Sequence, residues 1–283
     1  MPEAEKHRPI YFLKLGGSLI TVKSQAHTAR MDVLNRLARE IAESLKTQPG
    51  YDLVVGHGSG SFGHIPGKRH GTRAGVHTPE QWHGFSEVWY EATALTRIVV
   101  EALYAASLPV IAFSPSSSAF ARDGAVTSWD LSPLKAALQA GLLPLIHGDV
   151  VFDQVRGGTI LSTEDLFGYI VQELQPEKVL LAGLEDGVWA DYPHCSMLIP
   201  EITPDDLPAI LPSLGGSSAT DVTGGMLSKV QQSMEMVIEY PTLSVQIFSG
   251  TKPGNIREVL AGAPVGSILR TRQTDTSENR TGD

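Results

Sequence analysis

A chain of 283 residues is longer than one minimal core needs, and its 42% apolar and 19% charged residues are ordinary for a globular protein. The formal net charge of -9 argues against a nucleic-acid backbone as partner, although a few lysines and main-chain N–H groups can still build a local anion site. One cysteine, Cys195, excludes an intramolecular disulfide framework, and neither the polar stretch 1–9 nor the short apolar runs 108–113 and 142–146 reads as a secretory signal or a membrane span. A soluble, cytoplasmic protein is expected.

Residues 10–15 form an apolar run ending in Gly-Gly-Ser, which predicts a buried strand and a tight turn. Over 31–45, Val33, Leu34, Leu37, Ile41 and Leu45 recur at helical spacing. Residues 53–55 predict a second strand that again runs into glycines. Pro79 or Glu80 opens a long helix carried by Phe85, Val88, Trp89, Ala92, Leu95, Ile98, Val99 and Leu103. Residues 109–113 and 143–146 predict two more strands, the latter running into His147-Gly148-Asp149, and the serine-rich stretch 114–130 reads as a loop or an antiparallel flap. Residues 150–153 and 159–161 read as a hairpin joined through Arg156-Gly157-Gly158. Ser162-Thr163-Glu164-Asp165 matches a capping box for a helix over 166–174. A fifth strand at 178–182, a helix over 226–238 and a late strand at 244–248 complete the pattern. Strands separated by helices imply right-handed crossovers and an α/β fold whose mainly parallel sheet carries helices on both faces. Residues 1–270 are expected to form one domain, and the polar tail 271–283 to be disordered.

Several strands end alike: Gly16-Gly17-Ser18, Gly56-His57-Gly58-Ser59-Gly60-Ser61-Phe62-Gly63-His64, His147-Gly148-Asp149 and Ser249-Gly250. In an open parallel sheet, ligands bind outside the carboxyl ends of the strands, and glycine there lets main-chain N–H groups approach an anion. No Walker loop is present, and the G-x-G-x-x-G match at 58–63 lies on the second strand without the acidic partner of a dinucleotide fold. Phosphoryl transfer needs positive charge on the moving group more than covalent chemistry. Lys14, in an otherwise apolar strand, is the most unusual candidate, because an unpartnered ammonium is costly to bury. Lys23 and Lys229 read equally as surface lysines. Asp165 is a helix cap or an acid that orients the lysines or a bound metal, and His64 is a solvated loop residue or a donor to an anion. No metal-ligating set is evident.

Together Lys14-Leu15-Gly16-Gly17-Ser18, Ser61-Phe62-Gly63-His64, His147-Gly148-Asp149, Ser162-Thr163-Glu164-Asp165 and Thr223-Gly224-Gly225-Met226 with Lys229 resemble the amino acid kinase superfamily over roughly residues 10–270. Within it, the Gly-x-Phe-Gly-His ending resembles the isopentenyl phosphate kinases, where that histidine binds the substrate phosphate; the fosfomycin kinases share a similar histidine. The resemblance implies a three-layer αβα sandwich, a homodimer, an acceptor over the N-terminal half, and ATP with Mg2+ over the C-terminal half. It implies that Lys14, Gly16, Gly17 and Ser18 hold ATP phosphates and that Lys23 stabilises the transition state. Ser59 and Gly60 would touch substrate and nucleotide phosphates, His64 the acceptor phosphate, and Gly148 the substrate. Asp165 would organise the lysines, and Gly225 and Lys229 would contact ATP. One segment departs: the family's Thr-Asp-Val-Asp-Gly reads Gly183-Leu184-Glu185-Asp186-Gly187, so only Asp186 is carried over as a nucleotide contact.

The activity so implied is transfer of the γ-phosphoryl of ATP to isopentenyl phosphate, giving isopentenyl diphosphate and ADP in isoprenoid biosynthesis (the mevalonate pathway). The stripe Phe85, Val88, Trp89 and Leu95 reads as a pocket for an apolar acceptor tail or as plain core. The alternatives are the same chemistry on a fosfomycin-type phosphonate or on a carboxylate or carbamate, and a regulatory module without turnover. A carboxylate would call for an arginine clamp, for which Lys68, Arg69 and Arg73 are the nearest basic residues.

Overall fold

A computed structural model describes residues 8–214 and 225–272. The first half of the chain runs β1 (Ile10–Leu15), α1 (Gly17–Ile20), α2 (Met31–Thr47), β2 (Asp52–His57), α3 (Gly60–His70), α4 (Pro79–Ala105), β3 (Val110–Phe113), β4 (Ala119–Arg122), β5 (Ala125–Trp129) and α5 (Ser132–Gln139). It continues with β6 (Leu143–His147), β7 (Asp149–Asp153), β8 (Gly157–Leu161), α6 (Thr163–Leu174), β9 (Lys178–Gly183), β10 (Val188–Trp189), β11 (Leu198–Ile199) and β12 (Glu201–Ile202). Last come α7 (Leu207–Leu214), α8 (Gly225–Glu239), β13 (Ser244–Ser249), α9 (Asn255–Leu260) and β14 (Ser267–Leu269).

The central sheet has the order β12-β14-β13-β9-β1-β2-β6-β3. From β13 across to β3 every pairing is parallel, and β14 joins β13 antiparallel. Strand alternation sorts β1 onto two faces. Phe12 joins one core with Val54, Phe167, Val179 and Val230, under α6 and α8; Leu13 and Leu15 join the other with Leu37, Ile41, Leu95 and Val99, under α2 and α4. This is the expected three-layer αβα sandwich.

Because β2 lies on one side of β1 and β9 on the other, the chain leaves β1 in opposite directions, and the crevice of an open α/β sheet forms at such a point. The serine-rich stretch forms an antiparallel flap, β4 and β5, which joins the β7–β8 hairpin in a second sheet of order β5-β4-β7-β8. The long helix starts at Pro79 behind a capping box of Thr78 and Gln81. Of the tail, Thr271 and Arg272 belong to no helix or strand, and 273–283 lie outside the described residues, as do Thr223 and Gly224 of the Thr223-Gly224-Gly225-Met226 motif.

One expectation is corrected here. Residues 60–64 are not a glycine turn but the first part of the helix α3, and Gly17-Ser18 opens the short helix α1. Glycine is a poor helix former in isolation, but helix packing outweighs propensity when the residue must sit against a neighbour. A Cβ on Gly67 would lie 2.8 Å from Ile160 Cδ1, and one on Gly84 in α4 would lie 2.4 Å from His70 Cγ. The glycines let α3 lie flat on α4 and the hairpin.

Candidate active site

Register explains how a lysine comes to be buried in β1. Lys14 shares the α6 face with Phe12 and pairs across the ladder with Gly56. A Cβ on Gly56 would lie 2.6 Å from Phe167 Cζ and 2.7 Å from Thr163 Cγ2, so only glycine lets the start of α6 come down onto the sheet there. The rings of Phe12 and Phe167, 5.0 Å apart, fix that approach. Glu164 is thereby set on Lys14: Nζ meets Oε1, with the two side chains 10% and 13% exposed. Burial opposes ionisation of Glu164, yet Lys14 beside it and Lys229 farther off hold its carboxyl below the usual carboxylate range.

The two glycine segments form one structure. The Gly58 amide donates to Leu15 O at 3.0 Å, and a Cβ on Gly17 would lie 2.5 Å from the Gly60 nitrogen. Gly60 itself has φ +51°, in the left-handed region. Thr21 Oγ1 donates to Gly17 O at 2.8 Å and accepts from the Ser61 amide at 3.0 Å, so the starts of α1 and α3 are tied side by side. A third tie runs through Thr163, whose Oγ1 donates to His57 O at 2.6 Å and accepts from the Gly148 amide at 3.0 Å. The N-terminal ends of α1, α3 and α6 are therefore tied together at the carboxyl edge of the sheet, and Gly225 at the start of α8 lines the same cleft, a setting that favours anions.

A cleft of about 310 Å³ opens at this edge. Lys14, Gly16, Gly17, Ser18, Lys23, Ser59, His64, Gly148, Gly225 and Lys229 all line it, so these expected site residues meet in one place. Lys23 stands exposed at its mouth, and Lys229 Nζ sits against Gly183 at the end of β9. Val88 and Ala92 of α4 face Ile160 of β8 on one wall. Of the apolar stripe, only Val88 reaches the cleft. Phe85 packs beside it with Val76 and Val150, Leu95 is core, and Trp89 is exposed.

Three of the expected site residues do not line this cleft. Gly60 is buried behind the lining, where it serves backbone contact. Asp186 pairs with Lys252 at 2.8 Å outside the cleft, while Leu184 and Glu185 line it, because the backbone turns between them. Asp165 is held by partners on three elements. Its Oδ2 caps the Ser162 amide at 2.8 Å and takes Arg73 Nη2 at 3.2 Å, and its Oδ1 takes Gln232 Nε2 at 3.0 Å. The acid that meets Lys14 is Glu164, and the capping box could have shown this. Asp165 in the third helical position must bend back to the cap, which leaves the acid before it to face the site. Arg73 also lines the cleft, whereas Lys68 is exposed and Arg69 pairs with Glu87.

Beneath the cleft, His57 and His147 stack with ring centroids 5.6 Å apart. Burial first, then His147, pushes the His57 pKa from 6.5 down to about 3. Asp149 is buried as well, and burial raises its pKa although Ser114 Oγ and the Val150 amide donate to it. His57 makes acid stability testable. Below about pH 6.5 the unfolded chain binds a proton that the native ring refuses until about pH 3, so stability falls as pH falls through that window. In urea unfolding at pH 7.5, 6.0 and 5.0, His57→Gln should show a shallower acid decline, by up to about 1.4 kcal/mol per pH unit. An unchanged slope would mean that this ring is not the buried proton sensor.

Buried paired charge, a further lysine, helix N-termini and a histidine around one cleft are the parts that gather phosphates. The family model described as the amino acid kinase family matches residues 9–249. Isopentenyl phosphate kinase of Methanocaldococcus jannaschii is 31% identical over 266 residues, covering 91% of this chain and 97% of that protein. The enzyme of that name from Methanothermobacter thermautotrophicus is 31% identical over 264 residues, covering 89% and 96%. A solved structure of isopentenyl phosphate kinase superposes with TM-score 0.75 at 26% identity, covering 92% of this chain and 99% of the other. The chain therefore belongs to the amino acid kinase family and, within it, to the isopentenyl phosphate kinases.

Proposed function

We propose that this protein transfers the γ-phosphoryl group of ATP to isopentenyl phosphate, yielding isopentenyl diphosphate and ADP. The observation that carries this reading is that His64 and the apolar wall of Val88, Ala92 and Ile160 open into the same cleft as Lys14 and Lys229. Such a cleft suits an acceptor with an anionic head and a short hydrocarbon tail. The attacking oxygen already belongs to a phosphate, so no general base is needed. The difficulty is to bring two anions together in line, and lysines, a histidine donor and main-chain N–H groups at helix starts reduce that repulsion. Lys14 is kept in place by Glu164, Lys229 reaches the nucleotide side from α8, and Lys23 closes on the transferred group from the mouth.

Magnesium accompanies the nucleotide in this reading. The ion would be carried mainly on the phosphates. A homodimer fits the open edge of β3, where Ile111 is 41% exposed, beside Tyr104 of α4 at 74%. Sedimentation velocity on the full chain reads that directly, and a monomer at micromolar concentration would count against it. Among the described residues no helix is long and apolar enough to cross a membrane, and the proposed setting, the cytoplasm, suits a chain with one cysteine.

The test is ADP release with isopentenyl phosphate, dimethylallyl phosphate, fosfomycin, glutamate and carbamate as acceptors. Isopentenyl phosphate should give the highest kcat/KM. ADP release with fosfomycin, glutamate or carbamate, and none above buffer with isopentenyl phosphate, would transfer the activity to another acceptor. Arg73 in the cleft is a feature that a carboxylate could also use.

A further inference from the structure

Asp165 and Arg73 form a built element that the transfer chemistry above does not use. Arg73 stands on the 3-10 turn Thr72–Ala74 that follows α3, the helix of His64. Its main-chain carbonyl accepts from Thr159 Oγ1 at 3.0 Å and from Arg156 Nη1 at 3.2 Å, which anchors the turn on the β7–β8 hairpin. Its guanidinium is anchored separately, by Nη2 on Asp165 Oδ2 at 3.2 Å. Asp165 is itself fixed by the Ser162 amide and by Gln232 on α8, the helix of Lys229. Backbone and side chain are both oriented, and the side chain lines the cleft that His64 and Gly148 line.

A guanidinium carries five N–H donors in a rigid fork that matches a phosphate, so a single contact to Asp165 leaves donors to offer an anion. The position selects which anion. Arg73 rides on the same segment as His64 and is tied to the hairpin that supplies Ile160, whereas the nucleotide-side groups Gly225 and Lys229 come from α8. We infer that Arg73 is a further specificity-determining ligand for the acceptor's phosphate, paired with His64, and that Asp165 is its positioning residue. This rests on the proposed function, and it adds a residue to the acceptor half rather than to the nucleotide half. Arginine in place of lysine also means that the head group is recognised by shape as well as charge.

Calorimetric titration of the full chain with isopentenyl phosphate, without nucleotide, reads the inference, and turnover with ATP measured beside it reads the function. Arg73→Ala should weaken isopentenyl phosphate binding roughly tenfold to a hundredfold, the span of a charge-assisted hydrogen bond, and leave the KM for ATP within about twofold. Arg73→Lys should recover part of the affinity, and Arg73→Gln serves where the alanine variant melts early. Asp165→Asn keeps an oxygen acceptor but loses the charge, so it should weaken binding less than Arg73→Ala. The double variant Arg73→Ala, Asp165→Asn should bind no worse than Arg73→Ala alone. Wild-type affinity in folded Arg73→Ala and Arg73→Gln, or a loss that falls on the KM for ATP, overturns the inference while leaving the function standing. Arg73-dependent binding without ADP release sinks the function and keeps the inference. No wild-type binding overturns both.

Discussion

Lys14→Met should lower kcat by roughly three orders of magnitude or more, the range seen when a charge that stabilises a transferring phosphoryl group is withdrawn. It should also destabilise the fold, which is the less obvious half of the prediction. Lys14 and Glu164 are a largely buried pair, and removing the cation leaves the carboxylate uncompensated, at a cost of about 3–5 kcal/mol. A second substitution separates the two effects. Lys14→Met with Glu164→Gln replaces the stranded carboxylate by a neutral amide, so thermal stability should recover while turnover stays lost. If Lys14→Met alone keeps kcat within tenfold of the wild type, the buried pair is architecture and the phosphoryl group is stabilised elsewhere. If the double variant is no more stable than the single one, the carboxylate is not the source of the loss.

His64→Ala should cut kcat/KM for isopentenyl phosphate by roughly two or more orders of magnitude, as removal of an oxyanion donor does. His64 lies in α3, lines the cleft and is only half-buried, so its loss should leave thermal stability little changed. His64→Gln retains an N–H donor of similar reach and should recover part of the activity. Near-native turnover in His64→Ala would reduce this histidine to a helix-surface residue and would remove the feature that points to a phosphorylated acceptor.

How much of this was legible in the sequence depends on what each residue answers to. Strands and helices that bury one face carried their own period: Ile10–Leu15, the helix from Met31, the long helix behind Pro79 and the capping box before α6 all stand where periodicity puts them. The helix α3 was hidden because Gly60, Gly63 and Gly67 are chosen for contact with Ser59, Ile160 and α1, not for helix propensity, and contact is a property of the folded chain. The two- and three-residue strands β10, β11, β12 and β14 are too short to show any alternation. Lys14 was visible as an anomaly in an apolar strand. The acid paired with Lys14 is Glu164, and choosing between it and Asp165 from sequence requires knowing which carboxylate the helix cap consumes. Arg73 stood in the sequence only as one of three basic residues after the second glycine segment, with nothing local to single it out from Lys68 and Arg69. Its importance comes from the 3-10 turn and the hairpin that aim it, and those contacts join positions far apart in the chain.

The central claim is that the acceptor oxygen belongs to a phosphate, and one measurement addresses it without variants. ATP carrying 18O in its γ-phosphoryl group is incubated with the protein and isopentenyl phosphate, and the label is located in the separated products by its isotope shift in the phosphorus NMR spectrum. The account predicts that the label appears in the terminal phosphorus of a new diphosphate, in step with ADP. Label found only in inorganic phosphate or remaining in ATP would contradict it.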